Sequence, residues 1–475
     1  MAASEEKKKE TTPSFIATIR LRTNHVEEKK LLMLSDCARQ LYNACLGESL
    51  KRLNFIRNTR LFKETISLDK TVEEQKELRK KNFKHLNDSY GFSSYSIQSF
   101  GTKTKNASNF INRHLGTHVC QKIADRAFKA VQKYAFRQAK RVYFKRKGEF
   151  VSLEGKNNKT FLTYSNGFVF VGKDLTLKCL MNPKDIWLQE SLKNRIKFCR
   201  IIQKEVKGKN RFYVQLILEG FPPQKYKMGK EEVGLDIGPS TIAIVGESKA
   251  ELLEFCKEVV YLDKEKRRLQ RKLDRQRRSN NPHYFNENGT VRKGKKRWVL
   301  SNRYIKTRVE WREFERKRKE TRKHLHGRDT NRVLQLTSSI KTEKLSYKAF
   351  QKLFGKSIGR KAPSLYISLL KRKILSQGGQ FREFSTYSTK LSQTCHCGKI
   401  QKKKLSERWH RCDCGVIAQR DLYSAFLAKH VTSSNKVNLK KAKEEWEQIG
   451  PILKQCMEEL KNLKQCSPLI SAFGI

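Results

Sequence analysis

Four cysteines in two tight pairs, Cys395/Cys397 and Cys412/Cys414, constrain this chain more than any other feature. They lie in KLSQTCHCGKIQKKKLSERWHRCDCGVIAQRDLYSA, from Lys390 to Ala425, with a basic loop between the pairs. Two pairs of soft thiolates at one point suit a tetrahedral Zn2+ ion, around which the loop would fold. Cysteine pairs also form disulfides, and spacing by itself leaves that open. Each pair has a single intervening residue where zinc knuckles mostly have two, so His396 or His410 is an alternative to one thiolate. The four sulfurs are the favoured set. Directly after the loop, an Arg-Asp step places a carboxylate, Asp421, at the opening of an amphipathic segment. A loop closed on a metal would hold that acid in a fixed place.

The charge balance narrows the partners. The 475 residues carry 103 Lys+Arg against 47 Asp+Glu, a net charge of +56. Chemistry on a small molecule does not call for self-repulsion on that scale, whereas a nucleic acid neutralises it. A membrane surface is the competing polyanion, but no apolar stretch is long enough to span one. The other eight cysteines, Cys37, Cys45, Cys120, Cys179, Cys199, Cys256, Cys456 and Cys466, are scattered singly. That is the pattern of a reducing compartment with one metal site rather than a disulfide framework. The opening MAASEEKKKETTPS has no apolar core, so residues 1–13 read as a disordered tail and not a signal peptide. The expected location is cytoplasmic.

Taken in order, FIATIRLR (Phe15–Arg22) alternates as a strand. Val26–Arg57 has a helical period through Leu31, Leu34, Cys37/Ala38, Leu41 and Cys45, and Asp69–Asn87 continues the helical region. Ser89–Lys105, rich in Ser, Tyr, Phe and Gly, reads as a loop. His118–Tyr143 reads as a helix whose outer face (Lys122, Arg126, Lys129, Lys133, Arg137, Lys140, Arg141) forms a basic stripe. Such a run is ordinarily a solvated face, but in a chain this basic it reads as a phosphate track. From Phe144 to Glu219 the period changes to two, with FVSLEG, FVFVG, LTLKCL and a hairpin of FCRIIQKEV and RFYVQLIL joined by KGKN. An all-β unit interrupted by a helical insertion follows.

At Val233 the character changes again. VGLDIGPSTIAIVG is an apolar strand with an acid, Asp236, at its centre, then a Gly-containing turn and another strand. A carboxylate in an apolar strand is costly unless paired or bound to metal, so Asp236 is either a metal ligand or a turn cap. Leu262–Arg278 and Lys295–Arg322 read as long basic helices around the loop SNNPHYFNENGTVRKG. Their charge does not distinguish DNA from RNA. Val333–Leu345 reads as a strand ending near Glu343, which alone is more often a surface residue. Leu365–Gln377 reads as a helix, QFREFST as a strand, and Lys436–Asn462 as a mixed-charge helix with no catalytic signature. Asp236, Glu343 and Asp421 thus come from a strand, a later strand and a helix start, the layout of a ribonuclease H-like sheet whose three acids meet at one edge. Converging carboxylates need cations, and two Mg2+ ions about 4 Å apart would make a clamp for phosphodiester cleavage.

VGLDIGPSTIAIVG, SIKTEKLS and LSQTCHCGK–LSERWHRCDCG–QRDLYSAFLA resemble the three RuvC motifs and interposed zinc element of the TnpB family, transposon-encoded RNA-guided endonucleases related to the type V CRISPR effectors. RVYFKRKGEFVSLEG and SNNPHYFNENGTVRKGKKRW are similar to the same family. The resemblance spans roughly Phe15 to His430. It implies an α+β multi-domain chain: a wedge-type β-barrel (14–25 and 144–228) carrying a helical recognition insertion (26–143), then a ribonuclease H-like RuvC nuclease domain (229–394 and 416–434) with an inserted zinc ribbon (395–415). A C-terminal helical tail (435–475) would follow. By the same resemblance Asp236, Glu343 and Asp421 would be catalytic and hold two Mg2+ ions, and Cys395, Cys397, Cys412 and Cys414 would hold a structural Zn2+. The partners would be a guide RNA from the element's end and a double-stranded DNA target, with sequence read by base pairing. A nucleoid-associated protein is then expected. The chain departs from the family's Asp-Arg-Asp-x-Asn third motif, reading Gln419-Arg420-Asp421-Leu422-Tyr423. Two other functions stay open: a guide-bound DNA-binding repressor that does not cut, and a transposase that joins DNA ends.

Overall fold

The computed structural model describes residues 12–404, 406–466 and 470–475, without the side chains of residues 260, 261, 465 and 466. The tail expected over 1–13 therefore lies almost wholly outside the described residues, as does the Cys466 thiol. The chain divides into two compact units, residues 1–223 and 224–475.

The first unit is built on a seven-stranded sheet. Its strands are β1 (Ser14–Leu21), β2 (Ser152–Glu154), β3 (Leu162–Ser165), β4 (Phe168–Val171), β5 (Leu175–Leu180), β6 (Ile196–Val206) and β7 (Lys209–Glu219), in the order β2-β6-β7-β1-β5-β4-β3. Strand β1 lies between β7 and β5, antiparallel to both, although helices separate it in sequence from every partner. Alternation explains why it belongs there: Phe15, Ala17, Ile19 and Leu21 are buried while their neighbours face out. The β6–β7 hairpin turns on two residues, Lys207 (φ 50°) and Gly208 (φ 74°), the left-handed pair of a tight hairpin turn. Strands β2 and β3 are edges that do not pair with each other, so the expected barrel is an open half-barrel.

Helices fill the gap between β1 and β2. His25–Asn58 starts on an Asn24/Glu27 capping box and buries the expected row of Leu and Cys residues. Two expectations fail here. Ser89–Lys105 is not a loop, because Ser94–Ala107 forms a helix capped by the Ser93 hydroxyl, which accepts from the Ser96 N–H at 3.1 Å. Its small residues serve close packing rather than turns. A Cβ on Gly101 would lie 3.0 Å from Ala124 Cβ and 3.2 Å from Cys45 Sγ, so the glycine lets this helix settle between its two neighbours. The second failure is the helix expected to reach Tyr143, which ends at Ala135, with Arg137 already in the left-handed region (φ 57°). The basic stripe is therefore not one helical face. Lys122 faces Glu154 at 3.6 Å, Arg126 donates to the Ser152 carbonyl at 2.9 Å and Lys129 pairs with Asp125 at 2.7 Å. Lys133, Arg137, Lys140 and Arg141 are exposed.

The second unit holds a five-stranded sheet of β8 (Glu231–Ile237), β9 (Thr241–Val245), β10 (Ala250–Glu254), β11 (Thr337–Glu343) and β12 (Gln380–Phe384), ordered β10-β9-β8-β11-β12. The first three run antiparallel in sequence, and β11 and β12 run parallel to β8. The two faces bury different residues of the same strands. Val233, Leu235, Ile237, Ile242, Ile244 and Ile340 pack against the helices Asn302–Leu336 and Pro363–Ser376. Ala243, Val245 and Phe384 pack with the helices Arg420–Lys429 and Leu439–Cys466. Gly234 marks how closely the helix Arg420–Lys429 crosses β8, since a Cβ there would lie 1.9 Å from the Ala425 carbonyl oxygen.

Three boundaries differ from expectation in this unit. The long helix runs to Leu336, so Val333–Leu336 is helical and the strand begins only at Thr337. Lys295–Ser301 is not helical, and Trp298 packs instead on Tyr284 (5.2 Å) and Phe285 (5.8 Å) with Arg277 over its ring. Tyr347–Lys361, on which no expectation fell, is a helix. No helix among the described residues is long and apolar enough to cross a membrane.

Candidate active site and metal centre

The cysteine loop folds as two similar turns. In each, the glycine after the second cysteine has a left-handed φ (Gly398 93°, Gly415 91°) and donates its N–H to the first cysteine's carbonyl, at 2.9 and 3.0 Å. Each first cysteine donates its own N–H to the residue four on, Cys395 to Lys399 and Cys412 to Val416. The single-residue spacing thus makes a Cys-x-Cys-Gly turn that aims two sulfurs the same way. The turns face each other, with Cys395 Sγ 3.5 Å from Cys414 Sγ and Cys397 Sγ 3.6 Å from Cys412 Sγ. All four sulfurs lie within 4.8 Å of one another. Such separations are far beyond a disulfide bond and close to the roughly 3.8 Å edge of a tetrahedron with 2.3 Å Zn–S bonds. The residues present fit a structural Zn2+ ion.

Neither histidine joins the cluster. His396 is buried, with Nδ1 3.0 Å from the Tyr423 hydroxyl, and His410 stacks on the Tyr423 ring with Nδ1 against Lys403. Burial holds the His410 imidazole down to about 4. Tyr423, which stands where the family pattern has Asn, is directed to the cysteine loop. Its hydroxyl accepts the His396 N–H at 3.0 Å and lies 3.4 Å from Cys395 Sγ. Trp446, from the C-terminal helix, packs on Tyr423, His396 and Phe426 at 5.3–5.4 Å between ring centres. The tail continues this support, its Gly474 carbonyl accepting from Trp409 Nε1 at 2.9 Å. Sequence reasoning saw no role for this helix, and a single Trp among charged residues was the one available signal. W446A should destabilise this unit by roughly 3 kcal/mol and speed transfer of zinc to a chromogenic chelator, which melting and chelator kinetics would show.

The three acids come together through strand register. Leu235 faces Thr342 across the parallel pair β8–β11, so one step on Glu343 lies beside Asp236. Alternation sends both to the same side: Leu235, Ile237 and Ile340 enter one core, leaving Asp236 and Glu343 on the face that the helix Arg420–Lys429 covers. Asp421 sits in that helix's first turn, where the helix dipole favours a carboxylate. Gln419 caps the helix by accepting the Leu422 N–H at 2.8 Å. The Asp421 carboxylate accepts from Thr241 Oγ1 of β9 at 3.1 Å and from the Arg420 guanidinium at 3.4 Å. Among the described residues the four cysteines are the set of His, Cys, Asp and Glu side chains grouped closely enough to hold a metal ion, and the three acids do not form such a set.

Electrostatics reports the crowding. Burial, and then the charges of Asp421 and Glu343, hold the Asp236 carboxyl well above the usual carboxylate range, with Arg420 opposing. Burial pushes Glu343 up to about 7 against a hydrogen bond from Thr389. Arg420 offsets only part of this crowded negative charge, and divalent cations would relieve the rest. The folded chain holds a proton on Glu343 that the unfolded chain has released, so stability falls as pH rises from about 4.5 through 7. E343Q removes that cost, on the order of 3 kcal/mol. Its metal-free melting temperature should exceed that of the natural chain at pH 8 and match it near pH 4. Mg2+ should stabilise the natural chain more.

No protein-family model matches the chain, and no curated protein matches it. Among solved structures, the chain is similar to a Cas12f1–sgRNA–target DNA complex, with 10% identity and a TM-score of 0.46, covering 87% of this chain and 98% of that one. It is similar also to a CRISPR-Cas12f ternary complex, with 10% identity and a TM-score of 0.28, covering 89% and 100%. At these values the likeness carries no functional conclusion, and the chain's own residues must.

Proposed function

We propose that the chain is a divalent-metal-dependent DNA endonuclease directed by a guide RNA, of the kind its TnpB resemblance implies, with the second unit as a ribonuclease H-like RuvC domain. The observation that carries the reading is the register that sets Glu343 beside Asp236 under the helix bearing Asp421. Asp236, Glu343 and Asp421 would hold a pair of Mg2+ ions, which when bound supply water activation and leaving-oxygen stabilisation for phosphodiester hydrolysis. Thr241 fixes one Asp421 oxygen, and Arg420 offsets part of the site's negative charge. The four thiolates would fold the loop from which the Asp421 helix springs. The +56 charge would hold RNA and DNA, and the exposed Lys133, Arg137, Lys140 and Arg141 are candidates for backbone contacts, with Lys122, Arg126 and Lys129 engaged within the fold.

The test begins with sequencing the RNA that copurifies with the protein. A plasmid carrying its complement beside randomised flanks should then be cut only with that RNA and Mg2+ present, and not in EDTA. RNA-free protein that joins DNA ends would replace this reading with a transposase. One observation favours a non-cutting binder instead: Tyr423 is turned to the cysteines, so the acid site has no amide at that position. Guide-dependent binding without cleavage in Mg2+ would support that second reading.

A further inference from the structure

The Tyr423 hydroxyl has one hydrogen to give and two acceptors within reach. Its oxygen accepts the His396 backbone N–H at 3.0 Å, while His396 Nδ1 lies 3.0 Å away and Cys395 Sγ 3.4 Å. Bulk water is shut out, since Tyr423 and Cys395 are each 1% exposed and His396 7%. The ring is fixed by His410, stacked at 4.3 Å between ring centres, and by Trp446, edge-on at 5.3 Å. Which acceptor receives the hydrogen depends on the cysteine. A thiolate is charged and draws it, whereas a thiol accepts weakly and leaves it to the imidazole. Metal ligation is what keeps a cysteine as thiolate.

The same side chain belongs to the helix that covers the acids. Tyr423 lies two residues beyond Asp421 in Arg420–Lys429, and the close approach at Gly234 seats that helix against β8. The two cysteine turns reach the helix by different routes. The second turn leads along the chain into Gln419, which caps the helix at the Leu422 N–H. The first turn, distant in sequence, reaches it through the Cys395–Tyr423 contact. We propose that Tyr423 couples the two sites: its O–H donates to the Cys395 thiolate of the metal-loaded loop and so sets the helix that carries Asp421. Coupling of this kind is reciprocal, so a cation held by the acids tightens the hold of the cysteines on theirs. The proposal rests on reading the cysteines as a zinc site and the acids as a Mg2+ site. It gives the tyrosine that stands in place of the family's Asn a positioning role between them.

The test is Y423F in the full-length protein, which removes the hydroxyl and keeps the packed ring. Loaded with Co2+ in place of Zn2+, both proteins should show the absorption of a four-thiolate site. The thiolate-to-cobalt band of Y423F should move to longer wavelength, because a sulfur that loses a hydrogen-bond donor gives up electrons more readily. Y423F should also bind Zn2+ about tenfold more weakly in competition with a chromogenic chelator that ignores Mg2+. Mg2+ should raise the zinc affinity of the natural chain about fivefold and that of Y423F by less than about twofold. The natural chain and D421N check the coupling without touching Tyr423: the Mg2+ effect should be present in the first and absent in the second. An unmoved band and unchanged zinc affinity in Y423F would overturn the proposal and leave the zinc reading standing. So would a natural chain that cleaves DNA in Mg2+ yet binds zinc equally well without it. A chain that takes up neither Zn2+ nor Co2+ would overturn the zinc reading and the coupling together.

Discussion

D236A protein is expected to lose guide-dependent DNA cleavage by at least about 1,000-fold, roughly 4 kcal/mol of transition-state stabilisation, while binding DNA within a few-fold of the natural chain. The reason lies in how Asp236 is held. It projects from a central strand toward a covering helix, with its carboxyl kept well above the ordinary range by burial and by Asp421 and Glu343. A group so placed costs stability in the absence of cations, and divalent ions are what would offset it. Binding should survive because phosphate contacts dominate affinity and one carboxylate contributes none of them. The substitution should also raise the melting temperature of the metal-free protein, a gain that a purely structural aspartate would not give. Gel-shift and cleavage assays on one preparation, with melts in EDTA, separate these outcomes. Undiminished cleavage would remove Asp236 from the site.

The second large effect concerns zinc. The purified chain should carry one Zn2+, and C397S should lower zinc affinity by at least about 100-fold, since each thiolate supplies a sizeable part of the 10–16 kcal/mol typical of structural zinc. Cys397 is the informative position because it is exposed, so the change to serine leaves no buried defect of its own. Cleavage should fall with zinc occupancy. The second turn runs directly into β14 (Ile417–Gln419), paired with β13 (Trp409–Arg411), and Gln419 then caps the helix that begins Arg420-Asp421. Loosening that turn releases the cap and with it the position of Asp421. Metal analysis, chelator titration and cleavage with restored Mg2+ would check this. A chain purified without zinc under reducing conditions, yet fully active, would exclude a metal role for the cysteines.

Local pattern was enough for much of this chain. The alternation of FIATIRLR, the hairpin around Lys207-Gly208 and the strand–turn–strand of VGLDIGPSTIAIVG are each fixed by side-chain periodicity and backbone preference within a dozen residues. The two Cys-x-Cys-Gly turns are equally local, each closed by hydrogen bonds within five residues. Tertiary structure decided the rest. Ser94–Ala107 looks like a loop by composition because small residues favour turns, and it becomes a helix because packing between two others rewards a small face. Tyr423 reads as a defect in an acid motif until the helix turns it beneath Cys395. Whether Asp236, Glu343 and Asp421 meet at all depends on a parallel register between distant strands and on a glycine that lets a helix close over them. Such pairings couple residues far apart in sequence, and no periodicity within one segment specifies them.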